Sequence, residues 1–318
     1  MSSFLSRPLF ALTRHATPEL MVHGSYAIKR YGEECRGDEE FSFFAGSLLS
    51  PWQCLASEIN QTDPWWSLGV AWHSGQDIHL EALGHLSAYA QAGEEDLICP
   101  REYPLDGERA AQLRFTQRKP LRLHHPCSGK HLLMLAACQK FGYQKDLYWE
   151  VDHPLQKRIF NLVGREAGEQ VRWAKDTCGM PSFYMPLRVH LGMWERFALD
   201  EGDKAVVLKT LWLQNPRLVG GLGRLDSDLT LAANSKVLAK ESGNGDLLLQ
   251  FLGDQHHAPA SCFIKIASGP SKVYSALALL VVIRQHPELP PIFHEIAEYL
   301  HSRLDEWLPR EFTLQELH

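Results

Sequence analysis

The sequence predicts an α/β (α+β) fold, an antiparallel sheet drawn from both chain ends and flanked by helices. Three observations predict it. Strand-like patterns lie near the start, at residues 9–15 and 22–30, and return late, at 246–252 and 261–268. Between them, from 79 to about 215, apolar residues recur mostly with helical spacing. No repeat or long linker interrupts the chain, so elements from both ends can share one sheet that helices cover. At 318 residues either one large domain or two could form. We favour a single α/β unit over 1–318, with a C-terminal helical extension over about 287–318.

The elements follow in order. Thr17-Pro18 breaks the first strand, and Tyr31-Gly32 ends the second. An acidic loop, 33–40, precedes a helix at 45–59. There Ser50 with Gln53 reads as a capping box, and Pro51 suits the first helical turn. Val70-Ala71-Trp72-His73-Ser74-Gly75 reads as the end of a buried strand. The clearest helices are 79–92, 129–141, 153–168, 187–199 and 203–213, and Gly142 is a stop signal after the second. Gly243-Asn244-Gly245 turns the chain into the late strands. A helix at 271–286 carries an apolar stripe through Val273, Leu277, Leu280 and Val281, and a last amphipathic helix spans about 292–307.

Composition narrows the function. Net charge is −6 with both signs well mixed, which argues against nucleic acid or an anionic membrane surface as partner. No run of about 18 apolar residues predicts a membrane span. The first residues lack a basic segment followed by a long apolar one, so no secretory signal is expected. The seven cysteines are odd in number and irregularly spaced. Free thiols in a reducing cytoplasm are the expectation.

The densest chemistry is His124-His125-Pro126-Cys127-Ser128-Gly129-Lys130-His131, just ahead of the apolar run 132–137. A helix start favours a thiolate or bound anion and disfavours a lysine by about 0.3–1 kcal/mol. Positions three and four apart share a helix face, so Cys127, Lys130 and His131 can converge. Downstream, Asp176-Thr177-Cys178-Gly179-Met180-Pro181 offers a second thiol and a carboxylate. Two thiolates with an imidazole or a water would suit zinc, whereas two unrelated buried thiols are the plainer alternative. Cys127 could also be a nucleophile with a histidine as its base. Ser128 reads as an N-cap and Lys240 as a surface lysine. Ser47 has no such structural account. His73 and Ser74 sit where sites often form, and the His256-His257 pair reads as solvated. Of the Trp65-Trp66 pair, core is the favoured placement.

Taken together, Cys127-Ser128-Gly129-Lys130-His131, Asp152-His153-Pro154-Leu155-Gln156 and Asp176-Thr177-Cys178-Gly179-Met180-Pro181 resemble the bacterial asparaginase II family, the Rhizobium-type L-asparaginases. Further echoes include Val22-His23-Gly24, Ala71-Trp72-His73-Ser74-Gly75, Leu97-Ile98-Cys99 and Pro216-Arg217-Leu218-Val219-Gly220-Gly221. The likeness covers about residues 19–270. It implies a fold similar to the serine β-lactamases and glutaminases, and hydrolysis of the asparagine side-chain amide. It also implies two serine–lysine pairs and a metal site of two cysteines and a lysine.

Carried over by position, the metal site falls on Cys127, Lys130 and Cys178, with Asp176 beside it, and zinc is the metal considered. The first serine falls on Ser47, but its lysine partner is replaced by Ser50. The second serine position holds Trp72, and the second lysine is Lys240. A serine hydroxyl without a base is a poor nucleophile, and general base catalysis is worth roughly 10²–10⁴-fold.

The first reading is therefore a divergent amidohydrolase acting on L-asparagine or a related small carboxamide. In it Ser47 and Lys240 are catalytic, and Trp72, His73, Ser74, Asp176 and His131 line the pocket. The second is a non-catalytic protein on the same fold that binds a small amino-acid-like ligand or a metal. A third has Cys127 as nucleophile and His131 as base. The partners considered are a small amide or amino-acid-like ligand and a second copy of the chain in a homodimer.

Overall fold

A computed structural model describes residues 7–14 and 17–316. The expected strand 9–15 thus ends on a residue outside the described ones. In chain order the strands are β1 (Arg7–Arg14), β2 (Thr17–Arg30), β3 (Arg36–Gly37), β4 (Ser42–Phe44), β5 (Arg172–Lys175), β6 (Pro181–Pro186), β7 (Val237–Glu241), β8 (Asp246–Phe251), β9 (Ala260–Ile266) and β10 (Phe312–Glu316). The helices are α1 (Ser50–Ser57), α2 (Asp77–Ala90), α3 (Gly107–Phe115), α4 (Ser128–Phe141), α5 (Pro154–Ala167), α6 (Leu187–Leu199), α7 (Asp203–Gln214), α8 (Pro216–Val219), α9 (Leu225–Ala232), α10 (Lys272–Gln285), α11 (Pro291–Ser302) and α12 (Leu304–Trp307). Among the described residues no helix is long and apolar enough to cross a membrane. The backbone groups into two compact units.

The first unit is Met1–Phe41, Pro186–Leu199 and Leu229–His318. Its antiparallel sheet has the order β10-β1-β2-β9-β8-β7, with β3 beside β2, so both chain ends contribute. Thr17 and Pro18 do not interrupt the sheet. They open β2, where Thr13 faces Pro18 across the ladder. β2 meets β9 in a register that pairs Gly24 with Ile266. A Cβ at Gly24 would stand 2.0 Å from the Lys265 carbonyl oxygen, so only glycine allows this approach. Every residue of β7 and β8 is buried, which requires cover on both faces of those strands.

Helices α6 and α10 pack on the sheet. Helix α10 carries more than a stripe: residues 275–283 are buried without a break, the mark of a helix enclosed all round. The C-terminal segment expected to be helical is only partly so. After α11 and α12 the chain returns as β10, pairing Phe10 with Glu316 through to Arg14 with Phe312.

The second unit is Ser42–Met185 and Asp200–Asp228. Helix α4 lies at its centre, with residues 128–138 all buried, and it packs against α1, α2, α5 and the tight turn Pro64–Val70. The small sheet β4-β6-β5, antiparallel between β5 and β6, completes the unit. Trp66 belongs to this core. All seven cysteines are free thiols, and all but Cys35 are buried.

Candidate active site

The site is assembled by two backbone devices in the second unit. The first is the start of α4. Cys127 occupies the N-cap position, and its N–H donates to His125 Nδ1 at 3.1 Å. Lys130 and His131 follow on the first turn, on the same face as Cys127. The expected cap by Ser128 is not made. Its hydroxyl donates instead to the Leu123 carbonyl at 3.0 Å and pairs with His73 Nε2 at 2.9 Å. Gly129 permits the start to sit this deep, since a Cβ there would lie 2.5 Å from the Leu68 carbonyl oxygen.

The second device is the β5–β6 hairpin. Its turn is closed by Gly179 N–H to the Asp176 carbonyl at 2.9 Å and by Asp176 N–H to the Met180 carbonyl at 2.8 Å. Gly179 takes the positive φ of 87° that the turn requires. Cys178 stands at the tip and is 1% exposed.

These devices bring Cys127, Cys178, Lys130 and His131 together, with Asp176 near enough to act on their charge. Cys127 hydrogen-bonds to Cys178, and the two thiols diverge. The Cys127 contact, then Lys130 and His131, hold Cys178 well below the ordinary thiol range against the opposing effect of burial. The bond to Cys178 and burial push Cys127 well above that range. Cys178 is therefore the thiolate and Cys127 the donor. Burial alone would push Lys130 down, but the two sulfurs and Asp176 together hold it above the usual lysine value. At 2% exposure Lys130 is a buried ammonium paired with a buried thiolate.

Behind them His131 Nδ1 meets the Tyr148 hydroxyl at 2.7 Å, and Gln156 Nε2 donates to the Tyr148 carbonyl at 2.8 Å. His131 Nε2 is buried and makes no hydrogen bond of ordinary geometry, although the ring interacts with Cys178. Burial also pushes Cys99 up to about 12 and His125 down to about 4.

Zinc is the metal that the resemblance implies. Among the described residues no three His, Cys, Asp or Glu side chains are grouped as a metal-holding set. The donor set that fits is two sulfurs with a lysine amine. A divalent cation on two thiolates and a neutral amine leaves the pocket as neutral as the thiolate–ammonium pair it replaces, provided Cys127 and Lys130 shed their protons.

Ser47 lies in the same unit. It is 4% exposed in the tight turn Gly46–Leu49 that leads into α1. The turn is tied to β6 by Gly46 N–H to Ser182 Oγ at 3.0 Å and by Ala45 N–H to the Phe183 carbonyl at 2.9 Å. The capping box expected at Ser50 is absent. Helix α1 begins at Ser50, whose hydroxyl donates to the Ser47 carbonyl at 2.5 Å.

The segment 71–75 is not a strand but an extended link held on two sides. Trp72 and Ser74 N–H groups bond to the Val219 and Gly220 carbonyls at 3.1 and 2.8 Å, while His73 N–H bonds to the Pro126 carbonyl at 3.2 Å. The Arg224 guanidinium lies 4.5 Å over the Trp72 ring. His73 stacks on His79 with ring centroids 4.9 Å apart. Ser74 Oγ is buried with no hydrogen-bond partner.

Lys240 belongs to the first unit. It is not a surface lysine: it is fully buried on β7, opposite Leu248. Sequence reasoning missed Tyr148 and Ser182, which no local pattern marks. It also missed the approach of Cys99 to Cys178, which only the Leu97-Ile98-Cys99 echo touched.

The antiparallel sheet from both chain ends, the helices against it and the thiol–lysine cluster define the class as a mixed α/β protein with a buried nucleophile-rich centre. The chain belongs to the L-asparaginase II family, whose profile matches residues 34–311. The match runs through α11 and α12, beyond the span about 19–270 read from motifs. No curated protein matches the chain. Among solved structures it is similar to a Bacillus glutaminase crystallised in 4.3 M NaCl, at 10% identity and a TM-score of 0.41 over 89% of this chain and 90% of that one. It is also similar to a probable glutaminase from Bacillus subtilis complexed with 6-diazo-5-oxo-L-norleucine, at 14% identity and a TM-score of 0.37 over 89% of this chain and 84% of that one. Family membership supports an amidohydrolase of the asparaginase kind.

Proposed function

We propose that the protein hydrolyses a small carboxamide, L-asparagine or a relative, to the acid and ammonia. Support comes from the family match over 34–311 together with the meeting of Cys127, Lys130 and Cys178 in one buried cluster. Ser47 Oγ adds to the amide carbon, the C–N bond breaks, and ammonia leaves with the serine proton. Water then cleaves the ester, releases the acid and returns a proton to Ser47. The family pattern assigns the basic amine to Lys240. With Ser50 where the family has its nearer lysine, turnover is expected to be slower by roughly 10²-fold or more. Cys127, Cys178 and Lys130 would hold zinc, which when bound would supply a Lewis acid beside the pocket with its charge balanced by the two thiolates. Trp72, His73, Ser74, Asp176 and His131 would shape that pocket.

One observation favours a second reading, ligand binding without turnover. Trp72 is a bulky ring covered by Arg224 where the family has a serine. The experiment is ammonia release across a panel of primary amides, with Ser47→Ala and Lys240→Met beside the parent. Hydrolysis of at least one amide, abolished in Ser47→Ala, supports catalysis. A flat panel with saturable amino-acid binding supports the second reading.

A further inference from the structure

A wide recess opens in the second unit where the starts of α2 and α3 meet α8 and Leu222. Its volume is about 640 Å³, a size that small-molecule sites commonly have. No residue assigned above to catalysis, to the metal or to the amide pocket lines it.

One side chain fixes its frame. Gln76, the N-cap of α2, donates from Nε2 to Asp106 Oδ2 at 2.8 Å and accepts the Leu222 N–H at Oε1, also at 2.8 Å. Asp106 in turn caps α3, accepting the Arg109 N–H at 2.7 Å. The Arg217 carbonyl accepts from His79 Nε2 at 2.9 Å. The wall is in place before any ligand arrives, which lowers the cost of binding.

The charges on this wall are not all spent. Arg109 is engaged, with Nη1 on Gln112 Oε1 at 2.6 Å and Nη2 3.4 Å from Asp77. Arg217 and Glu108 are different. Among the described residues neither side chain makes an ion pair or a hydrogen bond, with the other or with any neighbour. A guanidinium and a carboxylate thus border one space without meeting across it. Ile78 and Leu222 add apolar surface to the same wall, at 42% and 63% exposure.

Each feature suits one part of a ligand. A guanidinium takes a carboxylate through two parallel N–H bonds. A carboxylate takes an ammonium. Exposed aliphatic side chains favour an aliphatic cover. We infer that this recess is a binding site for a free α-amino acid with an aliphatic side chain. Such a zwitterion carries both charges on one carbon, so a single small molecule can meet Arg217 and Glu108 together. A polar side chain would lose water against Ile78 and Leu222 without gaining a partner there.

The probe is L-leucine, followed by ligand-observed NMR on the full chain at neutral pH. Two controls each lack one charge: leucinamide has no carboxylate, and isocaproate has no ammonium. Arg217→Met and Glu108→Gln, both at exposed positions, are compared with the parent after circular dichroism shows native helix content. Leucine should bind saturably with a dissociation constant on the order of a millimolar. Either control, or leucine with either variant, should bind at least about fivefold more weakly. Absence of saturable leucine binding overturns the inference. So does leucinamide or isocaproate binding as tightly as leucine, or leucine binding that Arg217→Met leaves unchanged.

Discussion

Replacing Lys130 with methionine tests the electrostatics of the cluster. The side chain is 2% exposed and Cys178 is 1% exposed, so water cannot take over either charge. Methionine keeps most of the volume and removes the ammonium, leaving Cys178 to ionise unpaired or to take up a proton in an apolar setting. Removing one partner of a buried ion pair costs about 3–5 kcal/mol. An exposed pair would cost less than about 1 kcal/mol, so the two cases separate clearly. The assay is urea unfolding at pH 7 in the presence of a chelator, which leaves the thiolate and the ammonium as the interacting charges. Lys130→Met should lose about 3–5 kcal/mol. The double variant Lys130→Met, Cys178→Ala should lose markedly less than the sum of its singles, because it removes both charges. A loss below about 1 kcal/mol, or simple additivity, would refute the pairing.

Acid should weaken the fold through buried histidines. Burial holds His79 down to about 4 and His190 to about 3, against 6.5 for the free residue. Between those values the unfolded chain binds protons that the folded chain refuses, so stability is full above pH 6.5 and falls as pH drops below it. His79 alone accounts for about 3 kcal/mol of that fall. Urea midpoints from pH 7.5 to 4 should show the slope, and His79→Gln should flatten it. Gly129→Ala should destabilise by about 3 kcal/mol, because its Cβ would meet Leu68 backbone at 2.5 Å. Gly84→Ala, with nothing within 4 Å, should be neutral or stabilising by up to about 1 kcal/mol in a thermal melt. Tyr148→Phe removes the partner of His131 Nδ1 and should cost about 1–3 kcal/mol. Equal stability of that variant in urea would show the contact carries no weight.

Elements with unbroken periodicity were readable in the sequence. α4, α5, α6, α7 and β8 lie within a residue of their expected bounds, and β9 within two. What escaped did so for physical reasons. β7 carries Lys240 and Glu241, residues that ordinarily mark solvent, and only the tertiary fold buries them. β5 and β6 are short, and β6 begins and ends on proline, so no alternation accumulates. β10 pairs with β1 across nearly the whole chain, a contact no local window can see. Residues 70–75 have the apolar character of a strand, but their partners are the carbonyls of 126, 219 and 220 rather than a ladder.

Within the site, the face shared by Cys127, Lys130 and His131 was legible from helical spacing; Cys178 was marked as a second thiol beside a carboxylate, and the family likeness tied it to that face. The capping roles of Ser50 and Ser128 were misread. Each hydroxyl found a carbonyl behind it, at Ser47 and Leu123, a competition that propensity alone does not resolve.

The central claim is that Ser47 carries the covalent step. It is tested most directly by quenching the protein in acid during incubation with asparagine and with any amide that releases ammonia, and then mapping the digest by mass spectrometry. The account predicts an acyl ester on the peptide containing Ser47, absent from Ser47→Ala. An acyl group on Cys127, or turnover that survives in Ser47→Ala, would contradict it.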